Sequence, residues 1–338
     1  MIIDSYYFVT ILLLSSSILI NSLLLLVYFL RPLKMNTSKY FIPITAIQNI
    51  AYSLFILLGS PRIVAWNYCF VLTATGPMNT GTSGVTLLAL VVVSFIFHIL
   101  ILANIFFYRY LQLSRSKYFV FYSTKKGFLS LLAMNLLITF NWACYIYFCL
   151  FPYDEVEAYV REPVRNIIGM DLSETAFLGF CVKPTLRWNQ LIFIVDSMVT
   201  VLLLTNAGIY WSIKINITLR KSSLSVQTKA MHRQMNSLLV MQTVCPILFL
   251  HLPSTLQHCM TFFGMTSSLA FIYGTHILWN FFPLFSPLIT MIFLKEYRYW
   301  FLKKVGVKSN SRVLIMEVAT TTRIIPTTAQ ISSRSRSL

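Results

Sequence analysis

Apolar residues in this chain arrive in long unbroken blocks. They do not form the short alternating runs of strands or the narrow stripes of surface helices. Seven blocks reach the roughly 20 residues that an α-helix needs to cross a hydrocarbon core. They run 6–30, 40–60, 84–108, 127–150, 188–213, 237–263 and 269–294. Lipid offers no water to satisfy backbone N–H and C=O groups, so such blocks must be helical. The pattern predicts an all-α membrane protein, a bundle of seven transmembrane helices over residues 1–294. Between the second and third blocks lies a further apolar patch, Tyr68–Ala74. Pro61, Gly76, Pro77 and Gly81 punctuate its surroundings, and residues 61–83 read as a loop. The first block is too long for a signal h-region and no basic stretch precedes it, so it reads as a spanning helix that also directs insertion.

Charge turns the count into an orientation. Segments 31–39, 109–126, 214–236 and 295–338 hold 22 of the 27 Lys and Arg residues. The opposite side holds Arg62, Arg161, Arg165, Lys183 and Arg187, together with most of the acids: Asp4, Asp154, Glu155, Glu157, Glu162, Asp171 and Glu174. The positive-inside rule places the basic side in the cytoplasm and the N-terminus outside. A net charge of +17 does not point to nucleic acid, because the basic residues are dispersed between apolar blocks. Only 11% of residues are charged, too few to coat a water-soluble globule of this length. After the last block, Lys295–Val305 mixes Tyr297, Trp300 and Phe301 with Lys303 and Lys304, the pattern of a short amphipathic helix on the inner leaflet. The remainder of the 295–338 tail is rich in Ser, Thr and Arg and reads as disordered, a solvated tail or a phosphate acceptor for a desensitising partner.

Few residues inside the blocks carry chemistry. Asp196, in the fifth, is the one acid within a span. Burying a carboxylate in lipid is costly, so it marks either a ligand contact or a hydrogen bond between helices. His98, His251, His258 and His276 lie in spans, and His251 and His258 share a helix face seven residues apart. Such histidines serve as core hydrogen-bonding groups or as the beginning of a zinc site. No further ligand is spaced to complete a metal site, and neither a metal nor another cofactor is expected. Pro246 and Pro253 in the sixth block, and Pro283 and Pro287 in the seventh, each remove a backbone donor. They mark kinks, either fixed shape or hinges of a moving helix. Arg109 sits among tyrosines at the inner end of the third block, either as a snorkelling cation or as a switch.

Taken in order, Phe106-Phe107-Tyr108-Arg109-Tyr110 after the third block, a Gln-x-x-x-Pro at Gln242–Pro246, and Pro283-x-x-x-Pro287 followed by Tyr297-Arg298 resemble the nematode seven-transmembrane chemoreceptors of the Str type. Among these the chain is most similar to serpentine receptor class delta or a close sister class. The resemblance covers residues 6–305. It departs from rhodopsin-like receptors in lacking the acid before Arg109 and in placing Ser286 where those have Asn. It implies a G-protein-coupled receptor for an odorant or other small molecule, at the plasma membrane of ciliated sensory neurons. Its partners would be a chemical cue, a heterotrimeric G protein and the lipid bilayer. Arg109 with Lys214, Arg220, Lys221, Lys229 and Arg233 would face the G protein. A disulfide between Cys69 and Cys181 would resemble the outer disulfide of rhodopsin-like receptors, with Cys149 as a competing partner. The alternatives are a transporter or channel, which the single intramembrane acid and odd span count fit poorly, and an intramembrane zinc hydrolase of the adiponectin-receptor kind. No Walker loop, dinucleotide fingerprint or nucleophile elbow marks a conventional enzyme.

Overall fold

The computed structural model describes residues 2–30, 41–114, 117–122, 124–151, 154–183, 187–223, 225–294 and 297–298. Residues Met1–Phe293 make one compact unit and Leu294–Leu338 a second. The expected amphipathic helix and disordered tail fall in the second unit, almost wholly outside the described residues.

Seven helical stretches are long and apolar enough to cross a membrane. The first is α1 (Ile2–Leu30), the second α2 (Phe41–Gly59) and the third α3 (Gly81–Leu113). A short α4 (Lys117–Tyr122) precedes the fourth span, which is α5 (Lys125–Tyr145) continued by a π-helical turn, Ile146–Leu150. The fifth is α7 (Trp188–Lys221). The sixth is α8 (Val226–Pro246), a second π turn at Ile247–His251, and α9 (Leu252–Phe262). The seventh is α10 (Leu269–Phe293).

Several spans run past the limits that hydropathy sets. The inner segment 214–236, expected as a loop, is helix except at 222–225. Hydropathy reports where lipid ends, whereas Lys and Arg continue a helix into water readily. The turn is closed by a cap: Ser225 Oγ accepts from Thr228 N at 3.3 Å. Thr124 caps α5 likewise, accepting from Gly127 N at 3.1 Å.

Residues 61–83 are not simply a loop. Strands β1 (Pro61–Trp66) and β2 (Cys69–Ala74) form an antiparallel hairpin, and β3 (Phe177–Cys181) pairs with β2 to complete a three-stranded sheet in the order β1-β2-β3. The two-residue turn Asn67-Tyr68 has positive φ at both positions, +38° and +71°, the backbone twist that two-residue hairpins favour. β2 pairs Cys69 with Cys181 and Leu72 with Leu178, and the two cysteines are joined by a disulfide. Pro61, Gly76, Pro77 and Gly81 point to a loop here, and burial of both faces of the sheet removes the polar alternation that would mark a strand.

One face of the sheet, Ile63, Phe70, Leu72, Leu178 and Phe180, joins the main core of the helical bundle. The other face, Val64, Val71, Phe177 and the two disulfide cysteines, packs on α6 (Asp154–Ile168). That helix buries Val156, Val160, Val164 and Ile168, a stripe at spacing four, and turns its acids to solvent. Beyond it Asp171 accepts from Ser173 N at 3.0 Å and Ser173 Oγ at 2.8 Å, which holds its carboxyl below the usual carboxylate range and fixes the turn into β3. One end of the bundle is thereby roofed by two layers, a sheet and then a helix.

Polar seams tie the spans together. Asn49 Nδ2 donates to Asn21 Oδ1 at 3.1 Å, and Ser17 and Ser53 share a hydrogen bond of 2.9 Å between the first and second spans. Asn21 Nδ2 also donates to the Pro283 carbonyl of the seventh span at 2.9 Å. Asn104 donates to Asn135 at 2.9 Å between the third and fourth spans, and Asn236 to Asn216 at 3.0 Å between the sixth and fifth.

Candidate functional site

Beneath the roof lies a cavity of about 340 Å³, within the size range of small-molecule sites. Six of the seven spans line it: Tyr52 from the second, Val91, Val92 and Phe95 from the third, Trp142, Tyr145 and Leu150 from the fourth, Ser197, Met198, Val201 and Leu202 from the fifth, His251, Ser254, Thr255, His258, Cys259 and Phe262 from the sixth, and Trp279 from the seventh. Ile63, Phe70 and Leu72 of the sheet form its ceiling. No Asp, Glu, Lys or Arg is among the lining residues.

Few polar groups face this apolar space, and several are already committed. Ser197 Oγ donates to Ile194 O at 2.8 Å and Ser254 Oγ to Leu250 O at 2.6 Å, each within its own helix. His258 Nδ1 lies 2.8 Å from Ser254 O. A carbonyl oxygen only accepts, so Nδ1 carries the hydrogen and Nε2 of the neutral ring presents a lone pair. Phe70 stacks on His258 with centroids 4.6 Å apart, and Phe95 meets His251 edge-on at 4.8 Å, fixing both rings. Trp142 Nε1 and Trp279 Nε1 are buried, with no hydrogen-bond partner among the described residues.

His251 ends the π turn of the sixth span and His258 lies on α9, and both line the cavity. His98 is buried against Phe282, with centroids 4.5 Å apart, and His276 bonds Tyr6. No cluster of three metal-ligating residues occurs among the described residues.

The structure places Asp196 outside the cavity lining. It is exposed on the fifth span and hydrogen-bonded to Asn141 of the fourth. Of its two readings, the bond between helices is the one this geometry carries. Cys149 is a free buried thiol whose Sγ lies 3.4 Å from Gln190 O, apart from the Cys69–Cys181 bond.

Arg109 lies at the end away from the roof, 9% exposed, with Phe106 and Ile105 packed beside it against Ile215, Leu219 and Leu239. Arg220, Lys221 and Arg233 are exposed and Lys229 half-buried at the ends of α7 and α8. All four proline sites are helical: Pro246 ends α8 before the π turn, Pro253 opens α9, and Pro283 and Pro287 lie within α10.

Arg62 escaped the sequence reading. It is 4% exposed, donates from Nη1 to Tyr273 Oη at 3.2 Å, and lies 4.7 Å and 5.3 Å from the ring centroids of Tyr273 and Tyr6. Two aromatic faces offset its charge and pin β1 to the first and seventh spans.

The model of the serpentine type 7TM GPCR chemoreceptor family Str matches residues 6–302, nearly the whole membrane unit. The chain belongs to that family. Comparison with curated proteins gives no significant match. Str membership makes it a multi-pass membrane receptor of the chemosensory GPCR-like class, a receptor family and not an enzyme family.

Proposed function

We propose that this Str chain is a G-protein-coupled chemosensory receptor whose cavity under the sheet binds a small, uncharged, mainly apolar molecule. The observation that carries the reading is the cavity itself: about 340 Å³ and without a charged lining residue. A charged ligand would lose its hydration there without gaining a counter-ion.

The distribution of basic residues orients the chain with its N-terminus and roof outside and the ends of α7 and α8 in the cytoplasm. On that inner side Lys214, Arg220, Lys221, Lys229 and Arg233 supply a basic surface for a heterotrimeric G protein, and Arg109, buried in this structure, joins it only if the inner ends open. Class delta or a close sister is the subclass we assign, with the plasma membrane of a sensory cilium as its location. Pro246, Pro253, Pro283 and Pro287 are the hinges through which the outer and inner halves move.

The test is a panel of neutral volatile and charged small molecules on cells carrying the receptor and a promiscuous G protein. Responses are expected to neutral members only. Val92→Trp, which fills the cavity, should abolish them at unchanged surface expression. Responses that survive Val92→Trp would place the ligand elsewhere. Asp196→Asn in the same assay separates its two roles, since loss of response would return it to the ligand site.

A further inference from the structure

We infer that the cavity is filled from the lipid, through a lateral portal between the fifth and sixth spans, and not from the water above the roof. The inference rests on the cavity being the ligand site. The route from above is closed. Ile63, Phe70 and Leu72 are each at most 5% exposed, and α6 covers the opposite face of their sheet. The sheet is stitched to its surroundings as well as to itself. Ala65 O accepts from Ser267 N at 2.8 Å, Gln257 Nε2 donates to Ile63 O at 3.4 Å, and the Cys69–Cys181 disulfide joins β2 to β3.

The side is open. Leu202 of α7 is 61% exposed while lining the cavity, and on the sixth span Thr255 and Cys259 of α9 are exposed lining residues too. Leu202 lies fourteen residues into α7, which at 1.5 Å per residue is about 21 Å from its roof end. Thr255 lies seven residues from the end of α9, about 10 Å down. Both depths fall within a hydrocarbon core of about 30 Å, so the opening faces acyl chains. A neutral apolar cue concentrates in those chains before it reaches the protein. A permanently charged analogue is excluded from them however well its core fits.

Full-length receptor in phosphatidylcholine nanodiscs allows a direct test with two photolabels: neutral 3-trifluoromethyl-3-phenyldiazirine and its para-trimethylammonium derivative. Adducts are mapped by mass spectrometry on the inner wall at Val92 and Phe95, with the lipid-facing Leu19 as reference. Saturable inner-wall labelling is expected from the neutral probe alone. In a Cys259→Ser background, Leu202→Cys and Thr255→Cys, about 11 Å apart in depth by the same count, then allow the portal to be bridged with a bifunctional methanethiosulfonate of that span. Bridging before the probe is added should abolish inner-wall labelling, and bridging afterwards should retain the probe through washing. Leu202→Trp should slow filling several-fold, and Leu202→Ala should speed it. Inner-wall labelling by the charged probe, or unchanged filling of the bridged protein and of Leu202→Trp, would overturn the lateral route and leave the cavity as the ligand site. Absence of saturable inner-wall labelling by either probe would overturn both.

Discussion

At the scale of single residues, Asn21 shows how a buried polar side chain is explained by a proline four residues from its partner. Pro287 has no N–H, so the carbonyl of Pro283, four positions earlier in α10, loses its helical donor. Asn21 Nδ2 supplies one from the first span at 2.9 Å, while its Oδ1 accepts from Asn49. Asn21→Ala strips both partners of a bond in a buried seam, and the expected loss is about 1–3 kcal/mol, read as a lower melting temperature of purified receptor. Pro287→Ala restores a backbone donor to the Pro283 carbonyl, so Asn21→Ala should cost less in that background. A double-mutant cycle with no coupling would show that Asn21 does not serve the proline-freed carbonyl. Gly264 offers a second residue-scale case. Its φ of +69° disfavours any side chain, and an added Cβ would lie 2.6 Å from the Tyr68 ring. Gly264→Ala should therefore lower thermal stability, and Tyr68→Gly should relieve only the steric part, leaving the φ cost in the double variant.

Among the elements, the roof makes the sharpest demand on sequence. The α6 stripe Val156, Val160, Val164 and Ile168 has no function except to cover the sheet, and Val160 is fully buried. Val160→Asp places a carboxylate between helix and sheet without a partner and should prevent the receptor from reaching the cell surface. Ala158→Asp, on the exposed side of the same helix, should leave surface delivery unchanged, and equal loss from both would show that helix charge rather than packing matters. This stripe is readable in the sequence once a covering helix is sought in the acidic loop. The sheet is far less so. Tyr68–Ala74 is too short to span, lacks alternation because both its faces are covered, and pairs with a strand more than a hundred residues away. The seven spans, by contrast, were legible from hydropathy because lipid imposes length and polarity on each one separately. The cavity was not, since each span contributes only a few residues and their convergence depends on helix rotations that hydropathy does not encode. His251 and His258 carried a real signal in their shared face. Arg62 carried none, because its partners Tyr6 and Tyr273 lie at opposite ends of the chain.

For the whole molecule, the sixth span, like the third and fifth, reaches both the cavity and the inner end. Its outer part lines the cavity through His251, Ser254 and His258, and its inner part is clasped to the seventh by Gln242 Nε2 donating to Thr290 Oγ1 at 2.9 Å. Between them lie Pro246 and a π turn, where the ordinary helical ladder is interrupted. A ligand shifts this span only by its differential affinity for two arrangements, and the clasp sets how large that difference must be. Hydrogen bonds between membrane helices average about 0.6 kcal/mol and reach about 1.7, so removing one changes the equilibrium by roughly threefold and at most about eighteenfold. Gln242→Leu should raise basal G-protein signalling in cells by about that modest factor, at matched surface expression, with no ligand added. Thr290→Val removes the same bond from the other side and should raise it equally. The double variant should add nothing further, because one bond can be lost only once. Additive increases would mean that the two residues act on separate contacts. No increase in either would mean that the inner ends of the sixth and seventh spans are held by something else, for which the Gln234 side chain bonded to the Phe293 carbonyl is the next position to change.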